Sequence, residues 1–178
     1  MAKKYSAKGS EKERIYIDAD YDSYVKNDPL TYSSLLEQLV RKYPREKQFH
    51  LDFGGCLQDT DLPRAIVEYT KALELDPQFG PALNSLGLSY RKTGEYEKAL
   101  EYYRRYAAVY PDATDPPESI ALTYLRMGDL EQAQAYFDEA LKIDRSSYWS
   151  HKGKFYIAAL KQDYPEAKKW ADHLVSPS

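Results

Sequence analysis

One cysteine stands in 178 residues, so Cys56 has no partner within the chain and no disulfide framework can form. Such a chain is expected in a reducing, cytoplasmic setting. No run of about 18 apolar residues occurs, which predicts no membrane-spanning helix. The polar, Lys-rich stretch from Met1 to Arg14 lacks the apolar segment of a secretory signal and is not expected to act as one. Positive charge is not in excess: 25 Lys and Arg face 28 Asp and Glu, so nucleic-acid binding is not expected. Glycine is sparse, with 8 in all. The one pair, Gly54-Gly55, is not followed by the Gly-Lys-Ser/Thr of a phosphate loop. His50, His151 and His173 each lack a second histidine or cysteine at helical ligand spacing, so no metal is expected. Asp59-Thr60-Asp61 and the stretch from Asp112 to Asp115 lack the glycine and distant glutamate of a calcium loop. They read as turn and capping residues. No nucleophile–base constellation and no cofactor motif is present, so the chain reads as something other than an enzyme.

What is present is a period. Ala65, Ala99, Ala133 and Ala167 recur at intervals of 34 residues. Tyr69, Tyr103, Phe137 and Ala171 stand four residues after them, and Leu62, Tyr96, Leu130 and Tyr164 three before. Ala72, Tyr106, Ala140 and Leu174 stand seven after. Offsets of three, four and seven place side chains on one helical face. The alanine marks a crossing too close for a larger side chain, and the aromatic beside it fills the adjacent gap. Upstream, Leu83, Leu86, Gly87 and Tyr90 form a second helical stripe, which Gly94 ends. The following helix is expected from Glu95 to about Val109, closed by Pro111. In the next period Asp115-Pro116-Pro117-Glu118 opens a helix, with Asp115 read as its cap and Glu118 completing a capping box.

Leu83-x2-Leu86-Gly87-x2-Tyr90, Ala99-x3-Tyr103 and Pro111 together resemble the tetratricopeptide repeat, with Leu83 where that family favours Trp. Ile120, Ala121, Tyr124, Gly128, Ala133, Phe137 and Ala140 repeat the pattern. The chain resembles repeat-containing proteins of bacteria, whose regulators often carry such arrays beside signalling or DNA-binding domains. The resemblance implies an all-α fold, a right-handed α-solenoid of about five antiparallel helix pairs wound as a superhelix. The expected organisation is a flexible tail over 1–10 and a repeat domain over 11–175. Its pairs fall at about 13–46, 47–79, 80–113, 114–147 and 148–175, before a short tail at 176–178. The second pair is one residue short, in the turn around Asp59 to Asp61. The last pair has lost or displaced its Leu-Gly step, and its helix from Pro165 to Leu174 is a candidate polar cap.

The resemblance also implies a function: a non-catalytic adaptor or scaffold that binds a peptide or partner protein in a concave groove lined by first helices. Carried over position by position, the groove candidates are Asn84, Leu88, Arg91 and Lys92 in the third pair. They are Glu118, Leu122, Leu125 and Arg126 in the fourth, and Lys152 and Tyr156 in the fifth. Arg91, Lys92 and Arg126 could form a basic stripe facing a carboxylate. The second pair departs from the carboxylate clamp of some family members, offering Leu51, Gly55 and Asp59 instead. Two alternatives stand beside the adaptor: a self-association module forming a homo-oligomer, and a regulatory segment of a larger signalling architecture. The aromatic-rich last pair, with Tyr148, Trp149, Phe155 and Trp170, motivates the first of these.

Overall fold

Helical spacing of the apolar residues gives ten α-helices and no strand among the described residues. The computed structural model describes residues 10–24 and 29–175. The helices are α1 Glu11–Tyr24, α2 Pro29–Lys42, α3 Lys47–Leu57, α4 Leu62–Leu75 and α5 Gly80–Thr93. They continue with α6 Tyr96–Val109, α7 Asp115–Met127, α8 Leu130–Ile143, α9 Tyr148–Leu160 and α10 Tyr164–Val175. The expected tails, Ser10 apart, lie outside the described residues. The chain divides into two compact units, residues 1–89 and 90–178.

In the first unit, α1 packs on α2, α2 on α3 and α3 on α4. Leu36, Leu39, Phe53, Ala65, Tyr69, Ala72, Leu83 and Leu86 are buried. Burying a ring such as that of Tyr69 contributes roughly 1.5–3 kcal/mol. Gly54 of α3 is required by that ring, because a Cβ there would lie 2.6 Å from Tyr69 Cε1. A polar clasp joins α3 to α4. Buried His50 contacts the Pro44 carbonyl through Nε2 at 3.0 Å and Glu68 Oε2 through Nδ1 at 2.7 Å. Both partners are oxygen atoms that accept hydrogen bonds, so the imidazole bridges the turn before α3 to α4. Burial alone would raise the Glu68 pKa; hydrogen bonds from Lys71 and His50 outweigh it and hold the carboxyl below its usual range.

In the second unit, consecutive helices from α6 to α10 pack on one another, and α9 also touches α7. Ala99, Leu100, Tyr103 and Ile120 form one core cluster; Ala121, Ala133, Phe137 and Ile157 form another. Tyr90 stacks on Tyr102 with centroids 5.5 Å apart, and Tyr124 stacks on Tyr136 at 5.7 Å. The two stacks repeat the 34-residue period. The displaced glycine of the last pair is Gly153, where a Cβ would lie 2.1 Å from Phe137 Cζ.

The expected capping box at the start of α7 does not form. Its cap position is Thr114, without a side-chain cap bond. The Asp115 carboxylate instead accepts from the Tyr106 hydroxyl at 3.0 Å. Glu118 is turned into the interior, where its Oε1 accepts from the Ser147 and Ser150 hydroxyls. Two hydrogen bonds donated by serine hydroxyls outweigh a cap that solvent can replace. The missing residue of the second pair is absorbed by a shorter first helix, α3, and a longer turn over 58–61.

Candidate protein-binding faces

The first helices α3 and α5 border a cleft of the first unit, about 560 Å³ in volume. Leu51, Asp52, Gly55, Gln58, Pro81 and Asn84 line it, with contributions from α2 and α4. The repeat register explains why these residues face it. The buried stripe of α3 is Phe49, His50, Phe53, Gly54 and Leu57, and that of α5 includes Ala82, Leu83, Leu86 and Gly87. Residues between those stripes are left over for the cleft. At Gly55 an added Cβ would meet nothing within 4 Å, so the floor is open.

The cleft is polar in a defined way. The Asp52 carboxylate accepts from the Tyr16 hydroxyl at 2.8 Å and from Gln48 Nε2 at 2.8 Å. Burial raises its pKa, and the two hydrogen bonds only partly offset that. The Tyr69 hydroxyl donates to Gln58 Oε1 at 2.9 Å. Burial, and then the Asp52 charge, push the Cys56 thiol up to about 11. Near neutral pH it is a thiol rather than the thiolate that nucleophilic chemistry requires.

Each groove candidate has a definite place. Asn84 lines the cleft, and Leu88 is half-buried further along α5. Arg91 is half-buried, donating to the Ser119 carbonyl at 3.3 Å with its guanidinium 5.6 Å from the Tyr103 ring centre. Lys92 and Arg126 are exposed. The basic stripe therefore has one member, Arg91, already engaged within its own unit. Glu118 is buried and occupied by its two serines, so it presents no surface to a partner. Leu125 packs beside the Phe137 cluster, while Leu122 and Tyr156 are exposed. Lys152 lies over the Trp149 ring at 5.0 Å.

Sequence reasoning named the aromatic last pair but missed three features: how Trp170 is held, the contact of two histidines, and Asp52. The exposed aromatic surface of α9 is Tyr148, Trp149 and Tyr156 with Leu160, whereas Phe155 and Trp170 are half-buried. The Trp170 ring has the Lys154 and Lys169 ammonium groups at 4.5 and 4.8 Å from its centre, and its indole N–H donates to Glu166. His151 and His173, remote in sequence, stack at 4.9 Å. Asp52 lies one position beyond the groove register and was not among the groove candidates, although an acidic residue on the apolar helix Lys47–Leu57 was the available signal. Among the described residues no three His, Cys, Asp or Glu converge as metal ligands. No helix among them is long and apolar enough to cross a membrane.

Two stretches, 80–112 and 119–147, each match the tetratricopeptide repeat. Over 156 residues the chain is 30% identical to the photosystem I assembly protein Ycf3 of Cyanophora paradoxa, covering 79% of this chain and 85% of that protein. This chain belongs to the tetratricopeptide repeat family. It is 27% identical over 99 residues to anaphase-promoting complex subunit 3 of Schizosaccharomyces pombe, covering 56% of this chain but spanning only 15% of that relative's length. A tetratricopeptide repeat protein from Parabacteroides merdae shares the fold at a TM-score of 0.80 and 22% identity, over 94% of this chain and 66% of that one. Repeats of this family are in general protein-interaction scaffolds rather than catalysts, and the tetratricopeptide fold of this chain supports that general role.

Proposed function

We propose that this tetratricopeptide protein is a non-catalytic adaptor that holds a peptide segment of a partner protein against its first helices, in the groove that the family uses. The observation that carries this is the cleft between α3 and α5. It is roomy, half-polar and built from side chains that core packing leaves unused. The groove set in this reading is Asn84 and Leu88 on α5, joined by Leu51 and Gly55 on α3. Leu122, Arg126, Lys152 and Tyr156 form a second face. A cytoplasmic setting fits the single cysteine, Cys56. The test is a peptide-display selection on the full chain, followed by amide chemical-shift mapping of the winners. Shifts centred on Leu51, Gly55 and Asn84 support the reading; winners that leave these amides unmoved, or no winners, sink it.

A second reading is self-association. Trp149 is 59% exposed and Leu160 65%, on the same helix as Tyr148 and Tyr156. Apolar side chains so grouped are candidates for burial against another chain. Sedimentation at high concentration that shows only monomer removes this reading. A Trp149→Ala variant that dissociates an observed dimer supports it.

A further inference from the structure

The cleft has one formal charge. Of the residues lining it, only Asp52 carries a carboxyl, and no Lys, Arg or His is among them. The carboxylate is aimed by two neutral donors, Tyr16 and Gln48, one on each oxygen. Among the described residues no cation is paired with it. A partly desolvated, fixed carboxylate attracts an arriving cation more strongly than one in open water does, because less solvent screens the pair. The same charge repels a carboxylate, and nothing basic in the cleft would receive one. Leu51 and Pro81 offer apolar surface to an alkyl stem. Half-buried Asn84 makes no side-chain hydrogen bond among the described residues, so both ends of its amide remain available to a peptide backbone.

We propose that the occupant of this cleft is an extended peptide segment that sets a lysine or arginine side chain against Asp52. The proposal rests on the reading of the cleft as a peptide-binding face, and specifies the chemistry of what enters. It is the opposite polarity to a carboxylate clamp.

Three pools of capped pentapeptides test it, identical except for a central lysine, glutamate or norleucine. Each is titrated into the isotope-labelled full chain while the amides of Leu51, Gly55 and Asn84 are followed. The lysine pool is expected to bind about tenfold more tightly than the norleucine pool, with glutamate weakest. Asp52→Asn should reduce lysine binding to the norleucine level and leave norleucine binding unchanged. Equal binding of all three pools at the same amides overturns the cation assignment and leaves the cleft reading standing. No shift at those amides with any pool overturns both. If Asp52→Asn fails to melt cooperatively, the wild-type chain decides. Its preference for lysine over glutamate must shrink as salt rises, and a salt-independent preference contradicts an ionic contact.

Discussion

The Glu118 carboxylate on α7 accepts a hydrogen bond from the Ser150 hydroxyl on α9 at 2.7 Å, with both side chains buried. The same oxygen takes the hydroxyl of Ser147, the residue that caps α9. One acidic side chain therefore ties the start of one helix to the start of another. Glu118→Ala would leave two buried hydroxyls without their acceptor, at a cost of about 1–3 kcal/mol. Glu118→Gln keeps an acceptor oxygen and should cost less. Trp149 and Trp170, the only tryptophans, both lie in the second unit, so their fluorescence reports its unfolding. An unchanged denaturation midpoint for Glu118→Ala would show that the clasp contributes nothing.

Adjacent glycines in α3 should respond in opposite directions. A methyl at Gly54 would collide with the buried ring of Tyr69, so Gly54→Ala should cost about 1–3 kcal/mol. A methyl at Gly55 meets nothing, and alanine is the better helix former by up to about 1 kcal/mol. Gly55→Ala should therefore raise the melting temperature. It also narrows the cleft, so peptide affinity should fall as stability rises. Far-ultraviolet circular dichroism melts of the two variants check the signs.

These contrasts mark what the sequence could disclose. The alanine ladder was legible because each rung spends a small residue on a close crossing, and Ala65, Ala99 and Ala133 are fully buried. The cleft residues Leu51, Gly55 and Asn84 follow from the same register, as positions that the core stripe leaves over. Glu118 misled because an acidic residue at a helix start reads as a cap. The serines that claim it lie 29 and 32 residues later and look like ordinary surface serines. The contact between His151 and His173 depends on which turn of α10 faces α9, and neither helix pattern fixes that alone. Gly153 escaped notice because it stands two positions before the register of Gly87 and Ala121, against Phe137 of the preceding helix.

Acid should loosen the second unit through His151. Burial first, and then the nearby His173, hold the His151 pKa below its usual 6.5, with Asp144 opposing and Lys154 adding to the effect. The unfolded chain thus takes up this proton at a higher pH than the folded one. Between the two pKa values the unfolded state binds more protons, so stability falls as pH drops below about 6.5. The melting temperature read by tryptophan fluorescence should decrease from about pH 7.5 to about pH 5.5. His151→Gln should flatten that slope. Glu68 does not confuse the reading: its lowered pKa places its contribution below its ordinary 4.5, in the other unit. A slope of wild-type size in His151→Gln would assign the acid sensitivity elsewhere.

The turns after α5, α7 and α9 are built alike, and one of them carries the wrong residue for its backbone. Gly94, Gly128 and Gln162 recur at the 34-residue period, with φ of 82°, 83° and 58°. Each donates its N–H to a carbonyl three residues back: Arg91, Leu125 and Ala159. The next residue in each turn donates five back, to Tyr90, Tyr124 and Ala158. The left-handed conformation is free of steric cost for glycine and costs other residues about 1 kcal/mol or more. Glycine gives some of this back through the greater freedom of the unfolded chain. Gln162→Gly should therefore stabilise the second unit by up to about 1 kcal/mol, and Gly128→Ala should destabilise it by about 1 kcal/mol or more. Asparagine, which tolerates this region better than glutamine, should fall between glutamine and glycine at position 162. Urea titrations followed by tryptophan fluorescence rank the three residues, and a ranking with glutamine most stable would contradict the strain assigned to this turn.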